Sequence, residues 1–242
     1  KEEMLLDSVE KPIVLLKKKK DFLANICRDS YKIGAMLPCN PLQILIINDM
    51  SNGKNIPLVM TSGNKSGEPI IINDEYMKEW LDKEQLIDLV LFHKRNIITP
   101  LDDSMVQVVK GRTQILRRAR GYVPKAILIN QTSKNEIFAA GGDLKASFCL
   151  YKNGKAYLSQ YMGDVENHEI SRLYKNSFSK MKTLIKISPK VFVMDKHPLY
   201  NSGKITRDIY EEENGNKIMS VQHHFAHGAS VIAEHNLKGR TL

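Results

Sequence analysis

Residues Pro57 to Pro69 read PLVMTSGNKSGEP. Leu58, Val59 and Met60 form a short apolar run that predicts a buried strand, and it stops at Thr61, Ser62, Gly63, Asn64, Lys65, Ser66 and Gly67. Small hydroxyls, an amide and two glycines directly after a strand let backbone N–H groups and short side chains point at one ligand. Anionic oxygens are held that way without a deep pocket. The same residues also suit an ordinary polar loop between two elements, because Ser, Asn and Gly are the usual turn formers.

Working outward on the N-terminal side, Pro12 to Leu16 (PIVLL) predicts a buried strand and Asp21 to Ile26 a short helix. Tyr31 to Pro41 predicts a strand leading into a bend, its apolar residues bounded by Gly34, Pro38 and Pro41. On the C-terminal side, Asn73 caps a helix whose first turn carries Asp74 and Glu75 and whose apolar side includes Tyr76, Met77, Trp80 and Leu81. Asp88 to Phe92 predicts a further strand. Met105 to Val109 and Gln114 to Arg117 predict a hairpin about Lys110, Gly111 and Arg112. Beyond it lies RRARG, Arg117 to Gly121. Three guanidinium groups within four residues can fork onto a triphosphate or an acyl-adenylate, or they can line a basic surface strand. Ser104 stands beside them as a candidate donor, and Asp103 as a neighbour or a turn residue.

These stretches carry a resemblance. TSGNKSGEP is similar to the TS-(A/G)-N-x-SG-x-P motif of the YrdC/Sua5 family, whose members hold an adenylate intermediate with it. PLDDSMVQVVKGRTQILRRARGYVP resembles the later part of the same domain in HypF-type carbamoyltransferases of hydrogenase maturation, and GAMLPCNPLQILI resembles another stretch of those proteins, a resemblance that implies a helix opened by Pro41 and running through Leu45. The resemblance implies that Thr61, Ser62, Asn64, Ser66, Ser104, Arg117 and Arg118 bind ATP, with Mg, and the carbamoyl-adenylate made from it.

Polar Ile129 to Glu136 marks a domain boundary, dividing the chain into 1–130 and 131–242. The second part predicts strands at Ile137 to Ala140, Ser147 to Tyr151 and Ala156 to Gln160, with a glycine turn at Gly141-Gly142 and a two-residue hairpin turn at Asn153-Gly154. Asn167 caps a helix to Ile185 whose Ile170, Leu173, Tyr174, Phe178, Met181 and Leu184 face a core. Val191 to Met194 predicts a strand ending in Asp195, with His197 and Tyr200 beyond it, and polar clusters at strand ends are where open α/β sheets bind ligands. After a strand at Ile218 to Val221, a helix would place His223 and His227 on one face, where they either chelate a divalent ion or serve structure alone.

This half resembles the carbamoyl-transfer domain of HypF-type proteins, itself similar to TsaD, through GGDLKASF, SQYMGDVEN, DKHPLY and QHHFAHGAS. The fold expected is therefore α/β: part of a YrdC-like twisted sheet, then the first part of an actin/Hsp70-like, TsaD-like domain. The resemblance implies a divalent metal, Fe or Zn, at His223 and His227, and Lys145 at a nucleotide phosphate. It implies that carbamoyl phosphate and ATP yield carbamoyl-adenylate, whose carbamoyl group passes to the C-terminal cysteine of a HypE-type partner. The alternatives are a tRNA threonylcarbamoyladenosine-synthesis enzyme of YrdC/TsaD type and a non-catalytic piece that docks a partner. Family members carry domains before and after the matched region, so the chain is expected to be a fragment that binds ATP and metal weakly and does not turn over alone.

Composition bounds these readings. The chain has 242 residues, 42% of them hydrophobic, enough for real cores. No apolar run predicts a membrane span, the first residues lack signal-peptide order, and Cys27, Cys39 and Cys149 form no CxxC pair. A cytoplasmic location with reduced thiols is expected. The formal charge of +9 has its only dense run at Lys17 to Lys20, without interleaved aromatics, so no nucleic-acid partner is expected.

Overall fold

The computed structural model describes residues 1–19, 26–51, 56–65, 68–83, 87–130 and 133–239. They form two compact units, Lys1–Ser62 with Leu101–Tyr122, and Gly63–Pro100 with Val123–Leu242.

In the first unit, α1 (Glu2–Leu6) leads into β1 (Ile13–Lys17), the strand that PIVLL predicts. Then follow β2 (Lys32–Ala35) and α2 (Pro41–Ser51), which runs beyond the expected Leu45 because nothing after it in the chain breaks the helix before Ser51. The predicted hairpin supplies β3 (Met105–Val109) and β4 (Arg112–Arg117). Its turn residues Lys110 and Gly111 have φ of 47° and 75°, the pair of positive values a two-residue hairpin needs. Sheet order is β2-β1-β3-β4, with β1 and β3 parallel and the outer pairings antiparallel. Val14 and Val106, directly paired, are fully buried.

Just past β4 the chain is tied down. The Ser104 hydroxyl accepts from the Ala119 amide at 2.7 Å and donates to the Arg120 carbonyl at 2.9 Å. Arg120 reaches the Asp103 carboxylate at 2.7 Å and the Glu10 and Lys11 carbonyls at 2.9 and 2.8 Å. Gly121 follows at φ +84°, where an added Cβ would stand 2.8 Å from Glu10 Cα. Both the left-handed backbone and the backbone contact oppose a side chain. Gly121→Ala is expected to cost about 3 kcal/mol, summing strain at a positive φ and overpacking. Urea unfolding checks this, and an unchanged midpoint would contradict it.

The second unit holds α3 (Asp74–Lys83), whose Asn73 side chain accepts from the Tyr76 amide at 2.9 Å as the sequence predicts. Its sheet is built from β5 (Ile127–Leu128), β6 (Ile137–Ala140), β7 (Phe148–Lys152), β8 (Lys155–Leu158), β9 (Val191–Asp195) and β10 (Lys217–Val221), in the order β10-β9-β6-β7-β8-β5. The β6-β7-β8 meander is antiparallel, and its return turn, Asn153-Gly154, has φ of 50° and 74°. From β6 outward the other way, β9 and β10 add in parallel, because α4 (His168–Ile185) and α5 (Asn201–Glu212) return the chain each time. Three antiparallel strands followed by parallel crossovers agree with the expected actin/Hsp70-like domain. The core lies between this sheet and the helices, with Phe138, Phe148, Tyr174, Phe178 and Phe192 interleaved. Asn167 caps α4 through a 2.8 Å bond from the Glu169 amide.

Two expected strands are absent. Leu58 to Met60 and Asp88 to Phe92 run as irregular backbone, and Val59 and Leu89 are 77% and 90% exposed. An apolar run becomes a strand only where a neighbouring strand accepts its amides and carbonyls, and neither described sheet pairs with these runs. The expected helix at Asp21 to Ile26 falls on residues 21–25, outside the described residues.

All three cysteines are free thiols. Burial pushes the Cys149 thiol, on β7, up to about 11, whereas Cys27 is exposed. Since the thiolate is the nucleophile, iodoacetamide at pH 8 is expected to alkylate Cys27 and leave Cys149 unmodified until the protein is denatured. Peptide mass spectrometry reads this directly, and native labelling of Cys149 would count against it.

Candidate functional site

Because β6, β9 and β10 are mutually parallel, their C-terminal ends open on one rim of the second sheet. Three turns leave that rim. Gly141 and Gly142 follow β6, and Gly141 is obligatory, since a Cβ there would stand 2.7 Å from the Ser147 carbonyl oxygen. Asp143 follows, 8% exposed, and accepts from the Asn201 and Ser202 amides at 2.8 Å each. Those are the first amides of α5, whose own N-cap residue Tyr200 makes no side-chain cap. A carboxylate from the β6 turn thus satisfies this helix terminus, where negative charge is favoured.

Asp195 ends β9 and lies opposite Val221, the last residue of β10. Gln222 then occupies the N-cap position of α6 (His223–His235) without a side-chain cap, and the strand register holds His223 beside Asp195. Asp195 accepts from the His197 amide at 2.8 Å and meets His223 Nδ1 at 2.6 Å. Its side chain is 8% exposed. Burial raises its pKa, but the His197 amide and the His223 ring outweigh burial and hold the carboxyl below its ordinary range. The Tyr200 ring stacks on His197 at 4.3 Å and stands edge-on to His223 at 6.3 Å. His223 Cε1 lies 3.5 Å from where a Gly142 side chain would begin, so the imidazole packs against bare backbone.

His227, one turn along α6, brings its Nε2 to 3.1 Å from His223 Nε2. Two nitrogens that each bind one ion at roughly 2.0–2.1 Å are separated by about 3 Å when they occupy adjacent positions of its shell. The pair therefore fits two places in the shell of a divalent ion. Among the described residues, no group of three or more His, Cys, Asp and Glu side chains could hold a metal. Further ligands would come from water, substrate or other residues.

The structure brings His223 and His227 together. Lys145, in the second unit, is exposed at φ 53°, and its amide donates to Asp164 Oδ1 at 2.9 Å. Asn64 closes its own turn, donating to the Lys65 and Glu68 carbonyls at 2.8 and 3.0 Å. Ser66 lies outside the described residues. In the first unit, Thr61 and Ser62 are exposed on irregular backbone. Ser104, Arg117 and Arg118 are gathered at the exit of β4. Arg117 Nε donates to the Asp103 carbonyl at 2.8 Å, and Arg118 Nη1 to the Tyr122 carbonyl at 3.2 Å. Each guanidinium keeps donors beyond the one used, and burial lowers the Arg118 pKa, so an anion would find it incompletely solvated. The Ser104 hydroxyl has its proton on the Arg120 carbonyl. Asp143 is the contributor that sequence reading misses, since its partners lie 58 and 59 positions away.

Comparison with known proteins agrees in both halves. Residues 1–119 match the Sua5/YciO/YrdC family model described as "Telomere recombination", and residues 132–234 match the "HypF Kae1-like domain". The carbamoyltransferase HypF of Synechocystis sp. is 35% identical over 235 residues, 96% of this chain and 29% of that protein. The probable carbamoyltransferase HypF of Methanocaldococcus jannaschii is 33% identical over 240 residues, 97% of this chain and 30% of its own length. The chain thus spans less than a third of these curated relatives. A crystal structure of full-length HypF in the phosphate- and nucleotide-bound form superimposes with a TM-score of 0.87 at 37% identity, covering 99% of this chain and 36% of that one. The structure of T. kodakarensis HypF gives 0.86 at 32% identity, covering 98% and 30%. No helix among the described residues is long and apolar enough to cross a membrane. Matched in both halves, in one order and along nearly all its length, the chain belongs to the HypF-type carbamoyltransferase family, as a YrdC-like part followed by a Kae1-like part.

Proposed function

We propose that the chain contributes to an ATP-dependent carbamoyltransferase of hydrogenase maturation, acting in the cytoplasm. The observation that carries this reading is the convergence of His223 and His227 beside the strand ends, in a chain whose relatives are named carbamoyltransferases. Water hydrolyses carbamoyl phosphate to carbamate and inorganic phosphate, and carbamate is a poor acyl donor. Attack of the carbamate oxygen on the α-phosphorus of Mg-bound ATP expels pyrophosphate and gives carbamoyl-adenylate. The thiolate of a HypE-type C-terminal cysteine then attacks the carbamoyl carbon, and AMP leaves.

In this scheme Arg117 and Arg118 supply fixed donors to phosphate oxygens as charge develops on them. Thr61, Ser62, Asn64 and Ser66 line the adenylate, with Ser104 fixing the backbone that presents the arginines. Lys145 approaches a phosphate in the second half. A divalent Fe or Zn ion on His223 and His227 would supply Lewis-acid polarisation of the acyl donor.

The test uses the chain extended to the length of its relatives. Supplied with ATP, Mg, carbamoyl phosphate and a HypE-type acceptor, it should add one carbamoyl group to the acceptor's terminal cysteine, read by intact mass. Modification of tRNA adenosine in place of the cysteine would select the tRNA-synthesis reading. Neither product, together with retained binding of the acceptor, would select a docking role.

A further inference from the structure

We infer that Asp195 is a positioning residue for the histidine pair: it fixes the His223 ring with Nδ1 protonated, so that Nε2 keeps its lone pair on the side of His227. This rests on the metal reading above and adds to it a residue outside the pair itself.

Geometry carries the argument. Asp195 Oδ2 lies 2.6 Å from His223 Nδ1, and the other carboxylate oxygen is taken by the His197 amide at 2.8 Å. An ionised carboxylate can only accept, so the shared proton sits on Nδ1. In a neutral imidazole that leaves Nε2 as the acceptor, and Nε2 is the atom 3.1 Å from His227 Nε2. Asp195 cannot act as a third ligand in this arrangement, since it meets the ring on the edge away from His227.

The carboxylate is itself held. It caps the end of β9, paired with β10 two residues before His223, and the Lys196 amide donates to the Val221 carbonyl at 2.8 Å. The Tyr200 edge and the Gly142 backbone limit rotation of the His223 ring. Among the described residues His227 has no such support: its ring meets His223, and its backbone carbonyl accepts from Ser230. The pair is therefore asymmetric. One imidazole is oriented before any ion arrives, and the other follows it.

Outer partners that orient a ligating imidazole typically change metal affinity by about 10–100-fold. The experiment compares wild type, Asp195→Ala and Asp195→Asn, the last keeping shape and one acceptor oxygen. Co2+ alone is the probe, titrated by its visible absorption, with side-chain 15N NMR of the metal-free proteins at pH 8 reporting which His223 nitrogen carries hydrogen. Wild type should show Nδ1–H on His223. Asp195→Ala should shift the ring toward Nε2–H and bind Co2+ about 10–100-fold more weakly, with Asp195→Asn in between. A role in folding alone would lower thermal stability without moving the 15N shifts. Equal Co2+ affinity in all three proteins, or an Nε2–H ring in wild type, overturns the inference while leaving the metal reading in place. No Co2+ binding by wild type overturns both.

Discussion

Replacing Phe138 with alanine should cost about 4–5 kcal/mol, the upper part of the range for emptying an aromatic site in a core. Phe138 sits on β6, the strand where the antiparallel meander meets the parallel crossovers, and is fully buried. Its ring centroid lies 5.5 Å from Phe148, 5.2 Å from Phe178, 5.6 Å from Phe192 and 6.5 Å from Tyr174. Truncation therefore empties a cavity bordered by four other rings, which β7, β9 and α4 hold apart. They cannot all collapse inward without breaking strand register. Domains commonly unfold at about 5–15 kcal/mol, so the loss is a large share of the second unit's stability. Urea denaturation followed by far-UV circular dichroism measures it, and a cost below about 2 kcal/mol would mean that this core relaxes as the packing argument forbids.

Replacing His227 with alanine should remove most divalent-metal binding while leaving the fold intact. The residue is exposed on α6, and among the described residues its ring packs on His223 alone, so thermal stability should stay within experimental scatter of wild type. Affinity should behave differently. With a single imidazole left, chelation between i and i+4 is lost, and a drop of about 100-fold or more is expected, the upper end of what even indirect partners contribute. Isothermal titration with Zn2+ or Co2+ decides the matter. Undiminished affinity would place the ion elsewhere and remove the support on which the transfer scheme stands.

Much of the second unit can be read in the sequence because its signals are local. Asn153-Gly154 between alternating strands dictates a hairpin, Asn167 announces α4, and the four-residue spacing of His223 and His227 implies a shared face once a helix follows β10. What stays hidden is pairing across distance. Leu58–Met60 and Asp88–Phe92 have strand-like composition, but composition does not say whether another strand will lie alongside. Asp143 caps a helix 58 residues later, and Asp195 meets a histidine 28 residues later. Neither partnership leaves a mark on its own neighbourhood in the chain. Ser104 illustrates the same limit from the other direction: a hydroxyl that looks available in sequence is engaged twice by Ala119 and Arg120 once β3 and β4 are folded.

The Asn153-Gly154 turn joins β7 to β8 where β7 has run back to the start of β6, since Tyr151 pairs with Ile137. It thus sits at the end of the strands opposite the rim that carries the histidines. Biotin attached at the neighbouring exposed Lys155 would anchor the second unit to a sensor surface by that far end. Immobilised this way, the molecule would present Gly142, Asp195 and His223 outward to whatever flows past.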